Sequence, residues 1–224
     1  MTGHGQFCAI ARAQDLLGGR WTLLVVREVL CGSRRFNDIR RGIPRISRTV
    51  LSERLDALVA AGGLARVVGP HGPEYEPTPA GRELMPVLAA VGGWGQRWLP
   101  RRAGEEDIDA GPVLVDMQRR VRASALPVHP LVVRFVVDAA APRFLLLANG
   151  GGQLCNTNPG FPEPLTVTTP LAALVAWWRG DATSADARRQ GLAVAGPRPL
   201  ARAFPDWFER YLFADIAAAG RNPG

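Results

Sequence analysis

The chain contains no lysine: all 27 basic residues in its 224 positions are arginine. A bias of that kind is what genome base composition produces, and no function is read from it. Other absences exclude more. Three cysteines with no paired spacing rule out a disulfide framework, and the three cysteines and three histidines have no metal-ligand spacing. No metal and no cofactor is therefore expected. No apolar run approaches the roughly 20 residues that cross a bilayer, and Met1–Gln6 is polar and lacks the apolar stretch of a signal peptide. The expected setting is a reducing cytoplasm, away from membranes. There is no G-x-S-x-G elbow, no phosphate-cradling glycine loop and no paired-histidine motif. The chain is not expected to be an enzyme. Internal repeats and low-complexity tracts are missing too.

What is present is ordinary for a globular protein, 47% apolar and 21% charged. The length suits one large domain or two ordinary ones, each with its own core. The placement of charge is more informative than its total. Met1–Arg102 holds 15 arginines against 8 acidic residues, a net of +7, whereas Ala103–Gly224 holds 12 of each and is neutral. Phosphate attraction favours basic surface, so the first half is the nucleic-acid candidate.

Arg34–Ala61, RRFNDIRRGIPRISRTVLSERLDALVAA, carries the strongest pattern. It reads as two short helices around a Gly-Ile-Pro break at Gly42–Pro44. Phe36 and Ile39 point inward from the first. Ser47 caps the second, along which Val50, Leu51, Leu55, Leu58 and Val59 fall on one face. The opposite face offers Arg48, Thr49, Ser52, Glu53 and Arg54. A helix buried on one side, with arginine and hydroxyls near its N-terminus, suits a DNA major groove. Leu64–Val68 and Glu74–Thr78 form strands around the turn residues Gly69–Pro73, a hairpin that reads as a wing.

Around this motif, Cys8–Leu17 is a short amphipathic segment and Arg20–Cys31 a buried helix. Thr78-Pro79 opens a helix running towards Trp98, in which Pro86 and the glycines 92, 93 and 95 favour a kink or an early end. Residues 101–112, rich in Gly, Pro and charge, form a linker between domains 1–100 and 113–224. In the second domain Val113–Arg122 is helical. Strands follow at Leu131–Asp138, Arg143–Asn149, Gly152–Asn158 and Pro164–Pro170. Next come helices at Leu171–Arg179 and Thr183–Gln190, a strand at Leu192–Val194 and a final helix at Ala201–Ala219. The whole is an α+β chain.

Residues 8–99 resemble the HxlR family of bacterial winged-helix transcription regulators, distantly similar to the MarR group. The residues that carry the likeness are Cys8, the run LLGGRWTLLVVREVLCGSRRFNDIRRGIPRISRTVLSERLDALVAAGGLARVV, and YEPTPAGREL at the end of the wing. Ala9 stands where that family has proline after the cysteine. The second half resembles the sterol carrier protein-like fold through TVTTPLAALVAWWRGD (Thr166–Asp181) and LAVAGPRPLARAFPDWF (Leu192–Phe208). That likeness implies a strand, a helix, a Gly-Asp turn and a second helix around an apolar tunnel.

Candidate site residues follow. Arg48 and Thr49 are placed at base edges, with Ser47, Ser52 and Arg54 beside them, while Arg34, Arg35, Arg40, Arg41 and Arg45 are placed at phosphates. Arg66 and His71 in the wing either reach the minor groove and flanking backbone or are solvated turn residues. Cys8 is either an oxidant-sensing thiol, as the resemblance implies, or an inert one near a dimer seam; Cys31 and Cys155 are core residues. Trp94 and Trp98 line either a homodimer seam or a contact within the subunit. Trp177, Trp178, Phe204, Trp207, Phe208 and Tyr211 are either the wall of an apolar ligand site or core. The expected function is a homodimeric regulator of double-stranded DNA, a repressor, modulated by an apolar small molecule. The alternatives are a redox-sensing regulator acting through Cys8, and a carrier of apolar molecules with secondary DNA binding.

Overall fold

The computed structural model describes residues 3–99, 110–148 and 150–217, which fall into two compact units, Met1–Gly92 and Gly93–Gly224. The first contains α1 (Ala9–Leu17), α2 (Thr22–Leu30), α3 (Phe36–Gly42), α4 (Arg48–Ala60), the hairpin β1 (Leu64–Gly69) and β2 (Gly72–Pro77), and α5 (Pro79–Arg82). Its core joins Val25, Val26 and Val29 of α2, Ile39 of α3, Leu51, Leu55 and Leu58 of α4, and Leu64 and Tyr75 of the hairpin. The expected face of α4 is therefore the buried one, with Val50 and Val59 at its margins.

Both ends of α4 are fixed by local chemistry. The Ser47 hydroxyl accepts from the Val50 amide at 3.2 Å and satisfies an N-terminal donor. At the other end the Gly62 amide donates to Val59 O and the Gly63 amide to Leu58 O, a Schellman closure. Gly62 has φ +73, which a side chain would resist. The Thr78 hydroxyl donates to Gly62 O at 2.6 Å and accepts from the Gly81 amide at 3.1 Å, so one residue caps α5 and ties it to the end of α4.

The turn between α2 and α4 depends on a buried acid. Glu28 is fully buried, and Arg27 donates to its Oε1 from Nε (3.0 Å) and Nη2 (2.6 Å). The same Nη2 donates to Gly42 O at 3.3 Å. A Cβ on Gly42 would collide with the Glu28 carboxylate, so α3 approaches α2 only because residue 42 lacks a side chain.

α6 (Leu84–Trp98) corrects the expectation of a helix disturbed from the middle. The interruption falls at Glu83, between α5 and α6. Pro86 thereby lies in the first turn of the new helix, where its missing amide is harmless. The glycines do not end it, and it runs on to Trp98.

The second unit has α7 (Ala110–Arg119), β3 (Leu131–Val137), β4 (Arg143–Ala148), β5 (Gly151–Cys155), β6 (Leu165–Thr169), α8 (Leu171–Trp178), α9 (Ser184–Arg189), β7 (Ala193–Ala195) and α10 (Arg198–Ala203). The sheet order is β5-β4-β3-β6-β7, with β3 and β6 parallel and the other pairs antiparallel. Alternate residues Leu131, Val133, Phe135 and Val137 enter a core shared with Leu114 and Met117 of α7, Leu174 and Trp178 of α8, and Phe204, Trp207 and Phe208. Trp178 Nε1 donates to Asp116 Oδ2 at 2.8 Å, and Arg120 grips the same carboxylate at 3.1 Å, which joins α8 to α7. Thr183 and Asp186 form a capping box at the start of α9.

Two expectations need correction here. α7 begins at Ala110, inside the residues assigned to the linker, because Pro112 fits within a first helical turn; residues 100–109 lie outside the described residues. The long final helix does not form. α10 ends at Ala203, a short 3-10 turn covers Phe204–Trp207, and Phe208 is extended in a bridge to Val121. Pro205 denies the helix an amide and disfavours helical backbone before it. The chain then pairs through Arg122 N–H to Trp207 O and Glu209 N–H to Arg120 O, both 2.7 Å. Residues 218–219 of that expected helix lie outside the described ones.

Gly42→Ala should lower the stability of the first unit by about 2–3 kcal/mol through overpacking against Glu28. Gly95→Ala, whose Cβ among the described residues meets only Leu99 at an ordinary 3.7 Å, should leave stability unchanged or raise it by up to about 1 kcal/mol. Thermal unfolding of both variants checks the contrast.

Candidate nucleic-acid interface

The N-terminal turns of α4 present Arg48, Thr49, Ser52 and Glu53 to solvent, opposite the buried leucines. Ser47 precedes them and is engaged as the cap. Arg48 is held in place: its Nη2 donates to Asn37 Oδ1 at 3.2 Å and its guanidinium lies 5.8 Å from the Phe36 ring centre. The base-edge candidate thus projects from a platform on α3. Ser52 Oγ donates to Asp56 Oδ2 at 3.4 Å along the same helix face.

The wing is fastened to the helices by charge. Arg34 forms an ion pair with Glu76, and Arg35 Nε meets Glu74 Oε1 at 3.4 Å. The Tyr75 amide donates to Arg34 O at 2.8 Å, so residues 34–35 lie alongside β2 as a third extended segment. Exposed ion pairs of this kind contribute at most about 1 kcal/mol each; their consequence is positional, orienting the hairpin against α3. Glu74 and Glu76 carry no motif of their own in the sequence, yet strand alternation around the inward Tyr75 puts both on the face that meets the arginines. Asn37 and Glu28 left no comparable signal beyond being polar within or beside apolar segments.

The remaining arginines divide. Arg40 and Arg45 are exposed on and just after α3, and Arg41 is exposed but pairs with Asp38 at 3.2 Å. Arg66 is exposed on β1 and His71 is exposed at the two-residue tip between the strands. Arg54 departs from its neighbours. It is half-buried, and its guanidinium packs beside Gly19, where a Cβ would lie 3.2 Å from Cζ. It faces the turn between α1 and α2, not the exposed face that carries Arg48.

Cys8 is the N-cap position of α1. Backbone hydrogen bonding from Ala11 and then Ile10 lowers the thiol from the usual cysteine range, against a smaller opposing effect of burial. Cys31, expected in the core, is exposed at the C-cap of α2, where the chain turns away from the packed face. Cys155 is half-buried on β5 and is paired across the sheet with Phe144.

On α6, Val87, Val91, Trp94 and Trp98 form an exposed stripe at spacings of four, three and four residues, with Trp94 and Trp98 58% and 59% accessible. Neither tryptophan is buried by the described residues. In the second unit the six aromatic candidates pack on one another: Trp177 stacks on Phe204 at 6.0 Å, Phe204 meets Trp207 and Phe208 edge-on, Trp178 meets Phe208, and Tyr211 lies at the margin. Trp178, Phe204, Trp207 and Phe208 are core residues. Among the described residues no group of three or more His, Cys, Asp or Glu could hold a metal ion. No helix there is long and apolar enough to cross a membrane.

A family model described as HxlR-like helix-turn-helix matches residues 16–103. An uncharacterised HTH-type transcriptional regulator of Mycobacterium tuberculosis is 41% identical over 99 residues, 43% of this chain and 62% of that protein, so the chain spans less than two thirds of this relative's length. The uncharacterised HTH-type transcriptional regulator YvaP of Bacillus subtilis is 40% identical over 91 residues, 39% of this chain and 84% of YvaP. Among solved structures, the reduced form of the transcriptional regulator YodB from B. subtilis is 32% identical, covering 41% of this chain and 93% of that one, with a TM-score of 0.37.

Alkylation of Cys8 by iodoacetamide, followed by mass spectrometry against pH, should show a midpoint below that of a free cysteine, because the helix amides stabilise its thiolate. A midpoint at or above the free-thiol range would remove that effect.

Proposed function

The chain belongs to the HxlR-like helix-turn-helix family through residues 16–103, and from that premise we propose a homodimeric, sequence-specific repressor that reads double-stranded DNA through α4. The observation that carries this reading is the N-terminal face of α4. Arg48 and Thr49 lie exposed, with Arg48 seated on α3, and the residues that lead into α3 hold the wing through Arg34–Glu76 and Arg35–Glu74. Arg48 and Thr49 meet base edges, with Ser47 and Ser52 alongside. Arg40, Arg41 and Arg45 meet phosphates, and Arg66 and His71 meet the flanking backbone. Arg34 and Arg35 serve chiefly to fix the wing. The exposed stripe of Val87, Val91, Trp94 and Trp98 is covered by a second copy of the chain, which sets two half-sites about one helical turn apart.

The second unit binds a small molecule and shifts the population of DNA-competent dimers. Support for a carrier-like fold there is the order of β6, α8, the Gly180–Asp181 turn, α9 and Gly196-Pro197, the order that the sterol carrier resemblance implies. The packed rings at Trp178, Phe204, Trp207 and Phe208 favour a core role over a tunnel wall, which weighs against a carrier with secondary DNA binding.

One observation favours a second reading. The helix amides that lower the Cys8 thiol make it a candidate oxidant sensor. Under that reading Cys8→Ser protein no longer releases DNA on oxidation, while unoxidised binding stays as it was.

DNA titrations of two variants test the main reading. Arg48→Ala should cost about 1–3 kcal/mol on the preferred site and relax specificity there. Arg41→Ala should weaken all sequences alike and reduce the salt slope by about one unit. If neither change alters affinity, α4 is not the recognition helix.

A further inference from the structure

The second unit is neutral in sum, yet its arginines are unevenly neutralised. Arg120, Arg134, Arg179 and Arg189 each have a carboxylate within 4 Å, in Asp116, Glu163, Asp181 and Asp186. Arg188 at the end of α9 and Arg198 and Arg202 on α10 have none among the described residues. These three line one open concavity of about 360 Å³, with no acidic residue among the described residues that line it. Its remaining wall includes Leu192, Val194 and Ala201, from β7, the residue before it, and α10.

Three arginines that line one concavity repel one another, although each is exposed and the repulsion is screened by water and salt. An anion relieves it, and arginine offers carboxylate or phosphate oxygens a fork of donors. The apolar wall sets a second requirement. A bare inorganic anion would leave Leu192, Val194 and Ala201 unused, and an uncharged apolar molecule would leave the arginines uncompensated. The volume lies within the range of about 300–1,000 Å³ typical of small-molecule sites.

We propose that the groove between β7, the end of α9 and α10 binds a small amphipathic anion, with its carboxylate or phosphate head on Arg188, Arg198 and Arg202 and its apolar body on Leu192, Val194 and Ala201. The head class is shared by acyl carboxylates and alkyl phosphates. The concavity and its apolar wall favour such a molecule over a nucleic-acid backbone. Its apolar wall is the outer margin of the core that holds the aromatic cluster, whose rings do not themselves line the groove. It supplies the effector of the regulator proposed above and in that respect rests on that reading. Binding is measured without DNA, so loss of this site leaves DNA recognition standing, and failure of DNA recognition leaves this site standing.

The test is calorimetric titration of the full chain with decanoate and with decyl phosphate below their micelle concentrations. Decan-1-ol and inorganic phosphate serve as the apolar and anionic halves alone. At least one amphiphile should bind saturably, one per chain, with affinity falling as salt rises, and each half alone should bind at least tenfold more weakly. Arg198→Ala/Arg202→Ala, both at exposed positions, should weaken the amphiphile at least tenfold with the thermal melt unchanged. The proposal is overturned by no saturable binding, by equal affinity in the double variant, by phosphate alone matching the amphiphiles, or by a random-sequence duplex displacing them through these arginines.

Discussion

The helix-turn-helix rests on a carboxylate that water cannot reach. Burying a charge is costly unless it is paired and hydrogen-bonded, and Glu28 meets that condition through Arg27, its neighbour on α2. Because Arg27 also reaches the carbonyl of Gly42, one guanidinium holds the acid and the end of α3 together. The direction of α3 fixes where the Ile43–Ile46 turn enters the core, and that turn delivers Ser47 to the start of α4. The placement of Arg48 thus follows from a contact two helices away. A polar device of this kind specifies one arrangement of helices where apolar packing alone would tolerate several.

A second set of constraints holds the other end of the reading head. Gly62 and Gly63 close α4, Thr78 binds the loop that results, and β2 returns along residues 34–35. Helix, wing and the approach to α3 form a closed circuit of short-range contacts. Its surface arginines are consequently of different kinds: Arg34 and Arg35 are bound to the wing, Arg48 is seated on Asn37, and Arg54 is turned towards Gly19. Charge counting treats them alike, and only geometry separates those available to phosphate from those spent on position.

Much of this was legible in the sequence because the signals were local. Ser47 as a cap, the leucine spacing of α4 and the turn residues between β1 and β2 each act over fewer than ten positions, and the elements formed where those signals put them. The failures were of two sorts. The Glu28–Gly42 contact and the Arg34–Glu76 pair join residues far apart in the chain, which periodicity does not relate. The absence of a long final helix reflects a competition between two local tendencies. Apolar spacing from Phe204 to Leu212 resembled a helical face, but Pro205 and pairing with residues 120–122 favoured extended chain. The aromatic residues of that segment show why core and ligand wall are hard to tell apart in a sequence, since both require the same side chains.

The central claim, that α4 and its wing read a defined DNA sequence as a two-fold pair, is tested most directly by selecting bound duplexes from a random pool with the intact protein at several salt concentrations. The account requires enrichment of one site with two-fold symmetry, half-sites about one helical turn apart, and affinity that falls steeply with salt. Salt-sensitive binding with no enriched sequence, or an enriched site without symmetry, would contradict it.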